Sequence, residues 1–338
     1  MTIDAFIDAL PKVELHVHLV GSASLPTVLE LARRHPGNGV PTTEEELRDF
    51  YTFVDFPHFA RVYRAVNSLV REPEDVATLI TGLARDLAPQ GGRYFEIQVT
   101  PYAHHMVGLP MRAVTEALDL AAAQAREQYG VEVAYIFDIP GEYGEESARI
   151  TVEHALQEPP AALVGFGIGG IEQERPKYRD AYRDAFSAAR AAGLHSVPHG
   201  GEMSGPETIW EVIDGYGAER IGHGISCLDD PRLVAHLRET QIPLDVCPTS
   251  NVRTGQLADI GDHPLPRMLE EGLFVTLNSD DPPMFGTTLA GEYRVAAEVF
   301  GFGKTELAQL ARNGVTASYL PKDRKEALLD EIDALTRA

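Results

Sequence analysis

The stretch Val13-Glu-Leu-His16-Val-His18-Leu-Val20, near the start of the chain, is typical of a β-strand. His16 and His18 are two residues apart, so on a strand both imidazoles leave the same face. Two such imidazoles can bind one divalent ion together, but two ligands do not close a metal site. The stretch therefore predicts a metal-binding strand whose remaining ligands come from further along the chain.

Seven more short β-like runs follow, and most are separated by Ala-, Leu- and charge-rich stretches with helical spacing, such as 111–129 and 177–192. Strand and helix that alternate eight times favour an α/β fold, the (β/α)8 or TIM barrel, whose functional sites form at the carboxyl ends of the strands. The eight runs are 13–20, 94–101, 131–139, 163–170, 194–199, 220–224, 243–250 and 273–280.

The residues with metal-binding or acid–base chemistry end, or nearly end, four of these runs. A single site at the mouth of a barrel requires this placement. A doubly wound sheet is the competing fold, but it would gather its ligands at one switch point rather than from the first, fifth, sixth and eighth strands. We therefore expect one site built from His16, His18, His199, His223 and Asp280.

The chain length of 338 residues suits one large barrel or two smaller domains, and we expect a single metal-dependent barrel domain over 1–338 because no linker interrupts it. The segment 26–84 is long for one barrel connection. It contains the helix-start pattern Pro41-Thr-Thr-Glu-Glu-Glu and an aromatic-rich stretch over 50–59. We favour a helical cap inserted after the first strand, while an outer helix pair with a buried aromatic contact stays open. Two extra amphipathic C-terminal helices are predicted over 305–318 and 323–337.

The charge and cysteine content exclude several classes of partner. Lys plus Arg number 29 against 51 Asp plus Glu, and the resulting net charge of −22 opposes docking to phosphate backbones or anionic lipid. We therefore expect neither nucleic acid nor membrane as a partner. Two cysteines cannot form a disulfide framework, and the first residues lack the features of an export signal, so a cytoplasmic location is expected. The composition does not indicate an oligomeric state.

Three histidines and a carboxylate at strand ends are the donors that zinc prefers, and a zinc site that keeps a position for water predicts hydrolysis. His199 is followed by Gly200-Gly201-Glu202, which brings a carboxylic acid near the metal, so we expect Glu202 to move protons. His223 lies between two glycines. It suits either a metal ligand or a base that orients the attacking water, and we favour the second role.

Asp280 and Asp281 are adjacent at a strand end, where successive side chains point to opposite sides unless the backbone turns. Pro282 and Pro283 follow directly and restrict the residue before them. We therefore expect a turn at this position that directs both carboxylates into the mouth.

Five ordered motifs between Pro11 and about Tyr293 resemble those of the adenosine deaminase family, in the amidohydrolase superfamily of zinc-dependent barrels. Any one motif is weak, whereas five in order are highly specific. They are His16-Val-His-Leu-Val-Gly21, His199-Gly-Gly-Glu202 followed by Gly205-Pro206, Arg220-Ile-Gly-His-Gly224, Val246-Cys-Pro-Thr-Ser-Asn251 and Leu277-Asn-Ser-Asp-Asp-Pro-Pro-Met-Phe285.

The resemblance implies a role for each matching residue in the deamination of an adenine nucleoside. Glu202 would protonate purine N1, and His223 would orient the hydroxide and stabilise its charge. Asp281 would accept a hydrogen bond at N7, Gly170 would contact N3 through its backbone N–H, and ammonia would leave. One zinc ion per chain would be held, with water in the fifth position, by His16, His18, His199 and Asp280.

Two positions depart from the family pattern. Val20 stands where the family usually has an acidic residue that contacts the ribose 5′-hydroxyl, and Gly167 stands where an Asp is common. Loss of carboxylates at this end of the pocket favours a substrate with a bulky or anionic 5′ group. The chain is thus most similar to the branch that deaminates 6-aminodeoxyfutalosine in menaquinone biosynthesis. The alternative is an adenosine or adenine deaminase of purine salvage.

The same residues disfavour other functional classes. An adenine-nucleoside binding protein without turnover could lose Glu202 or a metal ligand, but all are present, which favours an enzyme. Lactone- and phosphate-cleaving relatives bridge two metals with a lysine, and no lysine ends a strand here. His104 and His105 could form a polar rim of the pocket or ordinary surface, and Cys247 is expected to be a packed side chain behind the metal.

Overall fold

The computed structural model describes residues 1–337, and in them nine short parallel strands form one (β/α)8 barrel. Hydrogen bonds link the strands in the order β1 to β5 and, separately, β6 to β9. The strands are β1 Lys12–His18, β2 Gly92–Val99, β3 Glu132–Pro140, β4 Leu163–Gly169, β5 His195–Ser196, β6 His199–Gly200, β7 Ile221–His223, β8 Leu244–Val246 and β9 Val275–Leu277.

Backbone hydrogen bonds close the two sheets into one barrel. Strands β5 and β6 are two halves of the fifth predicted run, and the N–H of Val197, between them, donates to the carbonyl of Phe166 on β4 (2.9 Å). At the other seam, the N–H of His18 donates to Asp280 (3.2 Å) and the N–H of Asp280 donates to His16 (3.0 Å). All eight predicted runs therefore correspond to barrel strands, and the predicted fold class is confirmed.

Helices follow the strands around the outside of the barrel, and the predicted bounds are close to those observed. The helix expected over 111–129 is found at Met111–Tyr129 and ends at Gly130, whose φ of +69° suits glycine. The predicted run 243–250 extends beyond the observed strand, because a helix begins at Pro248. The helices are α1 Ile3–Ala9, α2 Leu25–Arg34, α3 Glu44–Tyr51, α4 Phe56–Asn67, α5 Pro73–Leu87, α6 Pro101–Met106, α7 Met111–Tyr129, α8 Glu145–Gln157, α9 Arg179–Ala191, α10 Pro206–Tyr216, α11 Pro231–Thr240, α12 Pro248–Arg253, α13 Leu265–Glu270, α14 Pro282–Phe285, α15 Leu289–Glu298, α16 Lys304–Ala317 and α17 Lys322–Arg337.

The amino-terminal end of the barrel interior is filled by a buried ion network. Arg220 is fully buried, and its Nε lies 2.7 Å from Asp245 Oδ2 while a second nitrogen pairs with Glu96. Above this network, Ser279 Oγ donates to Glu14 at 2.6 Å. Charges removed from water need such partners, so this end of the barrel is a paired, closed layer.

The segment 26–84 contains α3, α4 and most of α2 and α5, and it reaches the helix that follows Asp281. Thr43 caps α3, as the Pro41 pattern predicted. The Phe59 ring, on α4, lies 4.6 Å from the Phe285 ring on α14, and the Phe53 ring lies 6.2 Å from it. These contacts place the aromatic stretch beside one edge of the mouth, and closure of this segment over the site stays a prediction.

The two predicted C-terminal helices are observed as α16 and α17. The side-chain amide of Asn313, on α16, donates to the carbonyl of Val275 on β9 (2.8 Å). A Cβ on Gly314 would lie only 2.9 Å from a methyl carbon of Val13, so α16 packs closely on β1. In the described part of the chain, no helix combines the length and apolar character that a membrane crossing needs.

Candidate active site

The predicted metal ligands meet at the carboxyl ends of the strands. Potential ligand atoms of His16, His18 and His199 lie within 4.8 Å of one another, as do those of His16, His223 and Asp280. Asp280 Oδ1 lies 3.2 Å from His18 Nε2 and 3.7 Å from His16 Nε2. The structure thus brings together all four expected ligands, with His223 beside them.

The unpaired nitrogen atoms of this cluster fit a metal ion. Both ring nitrogens of His16 and Nδ1 of His199 are buried without a hydrogen-bond partner among the described residues. A buried polar atom left unpaired costs about 1–3 kcal/mol, so native sites usually supply a ligand or water to it. Three imidazoles and one carboxylate are the donor set of many zinc sites, and the residues present therefore fit a divalent ion such as zinc.

Burial sets the protonation of these ligands. It lowers the pKa of His16 and of His199 well below the usual value, so both rings are neutral and able to bind a metal. Burial also lowers the pKa of His18, but the hydrogen bond that the ring donates to Asp280 and the charges of the nearby carboxylates outweigh it and raise that pKa to about 10. Metal ligands must be deprotonated, so a cation held here would displace the proton that His18 shares with Asp280.

The backbone turns at two of the site residues. Asp280 has a φ of +67° and His223 a φ of +63°, in the left-handed region that side chains other than glycine rarely adopt. Such conformations cost roughly 1–3 kcal/mol and persist where surrounding structure holds them. The expected turn is therefore present at Asp280, and it lets Asp280 and Asp281 both face the mouth.

Ser250 and Asn251, on α12, hydrogen-bond to two of the site residues, and neither had a predicted role. Ser250 Oγ donates to Asp280 Oδ2 at 2.6 Å. The Asn251 amide nitrogen lies 3.2 Å from His223 Nδ1, and its oxygen lies 3.2 Å from His263 Nε2. Both residues belong to the motif that ends at Asn251. Their position just after a strand end is the sequence feature that could have identified them as site residues.

The hydrogen bond from Asn251 fixes the tautomer of His223. When the amide nitrogen donates to Nδ1, the proton of the neutral ring is on Nε2. That Nε2 lies 3.5 Å from Glu202 Oε2 and 3.8 Å from Asp280 Oδ2. His223 therefore directs an N–H toward the space between the proton-moving Glu and the metal ligands.

Glu202 is positioned by a second buried carboxylate. Glu172, 1% exposed, accepts hydrogen bonds from the N–H groups of Glu202 (3.1 Å) and Met203 (3.2 Å). Burial raises the pKa of Glu202, and the charge of Asp280 adds to the rise while His223 opposes it. A carboxylic acid that keeps its proton toward neutral pH can act as a general acid. Glu172 was not found from the sequence.

Asp281 lies against the turn after β1. A Cβ on Gly21 would fall 1.4 Å from Asp281 Oδ1, so only glycine fits at that position. The same Oδ1 is buried without a partner in the described chain. Burial and the charge of Asp280 raise the pKa of Asp281 well above the usual value. One carboxyl oxygen of Asp281 therefore has no hydrogen-bond partner in the described chain.

Gly170 lies directly after β4 with a φ of +73°. A Cβ there would fall 1.9 Å from Glu142 Oε2, so the position requires glycine. One residue earlier, a Cβ on Gly169 would lie 3.7 Å from His199 Cε1. This geometry brings the backbone of β4 close to the metal ligands.

Tyr63, on α4, also faces the site, and the sequence did not identify it. Burial raises the pKa of Tyr63, and the negative charges of Asp281 and Asp138 contribute to the rise. Its ring lies 5.9 Å from that of Phe59. The segment 26–84 therefore contributes a phenol as well as aromatic surface to the mouth.

Several other candidate residues lie outside this cluster. His104 is buried on α6 while His105 is exposed, so ordinary surface is the wrong interpretation for His104. Cys247 is buried and packed, as expected.

Comparison with known proteins gives a consistent family match. A family model described as adenosine deaminase matches residues 11–335. The aminodeoxyfutalosine deaminase of Streptomyces coelicolor is 48% identical over 340 residues, which cover 99% of this chain and 86% of that protein. The protein of the same name from Streptomyces avermitilis is 48% identical, with 99% and 93% covered. An adenine deaminase of Streptomyces coelicolor is 35% identical, with 96% and 95% covered.

Solved structures agree on the fold. An adenine deaminase from Arthrobacter aurescens superposes with a TM-score of 0.91 at 32% identity, covering 97% of this chain and all of that one. An amidohydrolase from Burkholderia ambifaria, solved with bound zinc, superposes with a TM-score of 0.88 at 28% identity, covering 99% and 93%. The barrel is therefore shared with proteins of this kind, one of which was solved with zinc.

Proposed function

Because the chain belongs to the adenosine deaminase family, we propose that it is a zinc-dependent deaminase that hydrolyses the 6-amino group of aminodeoxyfutalosine. This substrate is an adenine nucleoside with a carboxyphenyl ketone at the 5′ position, and the reaction belongs to menaquinone biosynthesis. The observation that carries the proposal is the complete ligand set at the mouth, with Glu202 and His223 beside it. The 48% identity to two aminodeoxyfutalosine deaminases supports the choice of substrate.

His16, His18, His199 and Asp280 are the residues that would hold one zinc ion per chain. A bound zinc ion lowers the pKa of a coordinated water toward neutrality, which supplies a nucleophile at pH 7. His223 directs its Nε2–H to the attacking oxygen, where it orients that oxygen and stabilises the negative charge that develops on it. Asn251 keeps His223 in the tautomer that this role needs.

Glu202 holds the proton for purine N1. Protonation at N1 makes C6 electrophilic, and the raised pKa of Glu202 keeps that proton available. The oxygen of one water molecule adds to C6. One proton of that water ends at N1, and its second proton leaves with the amino group as ammonia. The product is the 6-oxo nucleoside.

Asp281 and Gly170 would orient the purine ring from its two sides. N7 of the substrate has a lone pair and no proton, so a hydrogen bond there requires a donor. Because N7 can only accept, we assign Asp281 a donor role rather than the acceptor role that the sequence suggested, and burial, which raises the pKa of Asp281, is consistent with it. The backbone N–H of Gly170 would donate to N3.

The 5′ end of the pocket suits a carboxyphenyl group. Val20 is buried where the family usually has an acid, so this end carries no negative charge from that position. The Phe53 and Phe59 rings line the neighbouring edge, and the Arg253 guanidinium lies 4.9 Å from the centre of the Phe53 ring. An aromatic ring with a carboxylate can stack on such a surface and pair with such a cation.

Adenine or adenosine deamination is the second candidate function. The observation in its favour is the TM-score of 0.91 with an adenine deaminase, together with 35% identity to another. Both reactions need the same metal ligands and the same acid, so only the substrate separates them.

The experiment compares turnover of aminodeoxyfutalosine, adenosine and adenine by zinc-loaded protein, followed by loss of adenine absorbance and release of ammonia. We expect the highest kcat/KM with aminodeoxyfutalosine. Faster turnover of adenosine by a wide margin would discard this substrate. V20D should shift preference toward adenosine, and V20N, which adds polarity without charge, is the matched control.

A further inference from the structure

We infer that Gln98 and Asp138, at the carboxyl ends of β2 and β3, form a subsite for the ribose hydroxyls of the substrate. This inference rests on the proposed function and extends it to residues that determine specificity for the sugar. Neither residue belongs to the five motifs, and neither was a candidate from the sequence.

Gln98 presents an unpaired amide to the mouth. It is 2% exposed, and neither its amide oxygen nor its amide nitrogen has a partner in the described chain. In the parallel register of β1 and β2, Gln98 pairs with His18. Neighbouring residues in register project to the same face of a sheet, so Gln98 points where His18 points. A buried amide with both ends unpaired is a group that a polar ligand can satisfy.

Asp138 has one carboxylate oxygen, Oδ2, that no hydrogen-bond donor reaches within residues 1–337. It is 4% exposed, and its Oδ1 accepts a hydrogen bond from Thr100 Oγ1 at 2.9 Å. A Cβ placed on Gly169 would lie 3.4 Å from Asp138 Oδ2 and 3.7 Å from His199 Cε1. The open position in front of Gly169 is therefore bordered by the carboxylate of Asp138 and by a metal ligand.

Gly169 on β4 keeps the space beside Asp138 free. At Gly167, one pleat earlier, a Cβ would lie 2.8 Å from the carbonyl oxygen of Val197, so that position is filled by neighbouring backbone. At Gly169 a Cβ would make only ordinary contacts, and a longer side chain would occupy the volume next to Asp138. The absence of a side chain at Gly169 leaves room there for part of a ligand.

The order of the strands places the sugar over these two residues. In the proposed orientation, N1 faces Glu202 after β6, N3 faces Gly170 after β4, and N7 faces Asp281 after β9. On the purine, N9 lies between N3 and N7, on the side away from N1. Around the barrel, the path from β4 to β9 that avoids β6 passes β3, β2 and β1. The group on N9 therefore lies over Asp138 and Gln98.

The chemistry of the two side chains matches a vicinal diol. Asp138 Oδ2 can accept a hydrogen bond from one ribose hydroxyl, and the Gln98 amide can donate to and accept from the other. A buried site built to pair a hydroxyl rejects an analogue that lacks it, because its own polar groups are then left unpaired. The subsite therefore predicts discrimination against 2′-deoxy or 3′-deoxy substrates.

The test is a double-mutant cycle between side chains and hydroxyls. Wild-type protein, D138N and Q98L, all zinc-loaded, are assayed with aminodeoxyfutalosine and with its 2′-deoxy and 3′-deoxy analogues. We expect wild type to prefer the parent over at least one analogue by about 10- to 100-fold in kcat/KM, the range for a hydrogen bond to a charged group. In D138N or Q98L that ratio should approach one, through KM more than kcat. Q124L, the same change on the outer helix α7, should keep the wild-type ratio.

Binding of the 6-oxo nucleoside product, measured by calorimetry, separates this inference from the proposed function. Weaker binding of the ribo product, but not of its deoxy analogue, by D138N supports the subsite even if turnover of aminodeoxyfutalosine proves slow. Equal discrimination by wild type, D138N and Q98L overturns it, even when wild type deaminates aminodeoxyfutalosine well. If the variants do not fold, equal kcat/KM of wild type for parent and deoxy analogues overturns it as well.

Discussion

Buried polar groups have partners at the amino-terminal end of the barrel, whereas several at the mouth have none in the described chain. At the amino-terminal end, the buried Arg220 is paired with the carboxylates of Asp245 and Glu96. At the mouth, polar atoms of His16, Gln98 and Asp281 are equally buried, but no partner in the described chain reaches them.

This difference shows that pairing, and not burial, separates a structural polar cluster from a binding site. The paired end specifies how the strands fit together, whereas the unpaired end leaves its groups to a metal ion and a substrate. Variants at the mouth should therefore lose activity, whereas variants at the amino-terminal end should lose stability.

The largest effect is expected from E202Q at the mouth. The amide cannot supply a proton to N1, so kcat should fall by about 10²–10⁴-fold while zinc content stays unchanged. Steady-state kinetics with metal analysis measures both quantities, and E298Q, on an exposed face of α15, is the control. Retention of more than a tenth of wild-type kcat would contradict the role of Glu202.

At the paired end, R220M should lower the free energy of unfolding by about 3–5 kcal/mol, because Glu96 and Asp245 lose their cation. Urea denaturation measures this change. R112M removes a guanidinium whose side chain is 80% exposed and should cost less than about 1 kcal/mol. A loss below 1 kcal/mol in R220M would remove the contrast between the two ends.

A smaller effect is expected from S250A, which removes the hydrogen bond to the Asp280 carboxylate. Groups that hold a metal ligand from behind typically contribute 10- to 100-fold to metal affinity. Competition with a chelator gives the zinc dissociation constant, and S68A on the exposed surface is the control. Unchanged zinc affinity in S250A would mean that the turn at Asp280 holds this ligand by itself.

The smallest effect concerns His104, which is buried and unpaired at Nε2 but lies away from the cluster. Burial lowers its pKa to about 4, so unfolded protein binds a proton more readily between pH 6.5 and pH 4. Stability from this residue is complete above pH 6.5 and is lost as the pH falls toward 4.

H104L should therefore reduce the loss of unfolding free energy between pH 7.5 and pH 4.5 by about 1–3 kcal/mol. Its kcat should stay near that of wild type. Thermal melts at pH 4.5 and pH 7.5 measure the loss of stability. H105L, at the exposed neighbouring position, should lose as much stability at acid pH as wild type does. A loss of activity in H104L would extend the functional region beyond the mouth.

Most of the barrel and the metal cluster could be predicted from the chain alone. The eight runs follow from local pattern, and His16, His18, His199 and Asp280 stand at run ends, where the barrel fold collects them. The split of the fifth run around Val197 could not be predicted, because it depends on register with both neighbouring strands.

Other parts of the site depend on contacts between distant segments. Gln98 and Asp138 look like ordinary strand residues until the register places them at the mouth. The left-handed backbone at His223 and Asp280 also has no local signal, since glycine or asparagine usually marks such positions. Ser250 and Asn251 stood inside a quoted motif, but their partners are 30 and 28 residues away.

The central claim is that His16 and His18 on β1, His199 on β6 and Asp280 after β9 together hold one ion on which deamination depends. Its most direct test is elemental analysis of wild type and D280A after reconstitution with zinc, alongside the deaminase assay. The account predicts one zinc per wild-type chain, with both zinc and activity lost in D280A. A wild-type enzyme that is active without metal, or a D280A variant that deaminates at the wild-type rate, would contradict it.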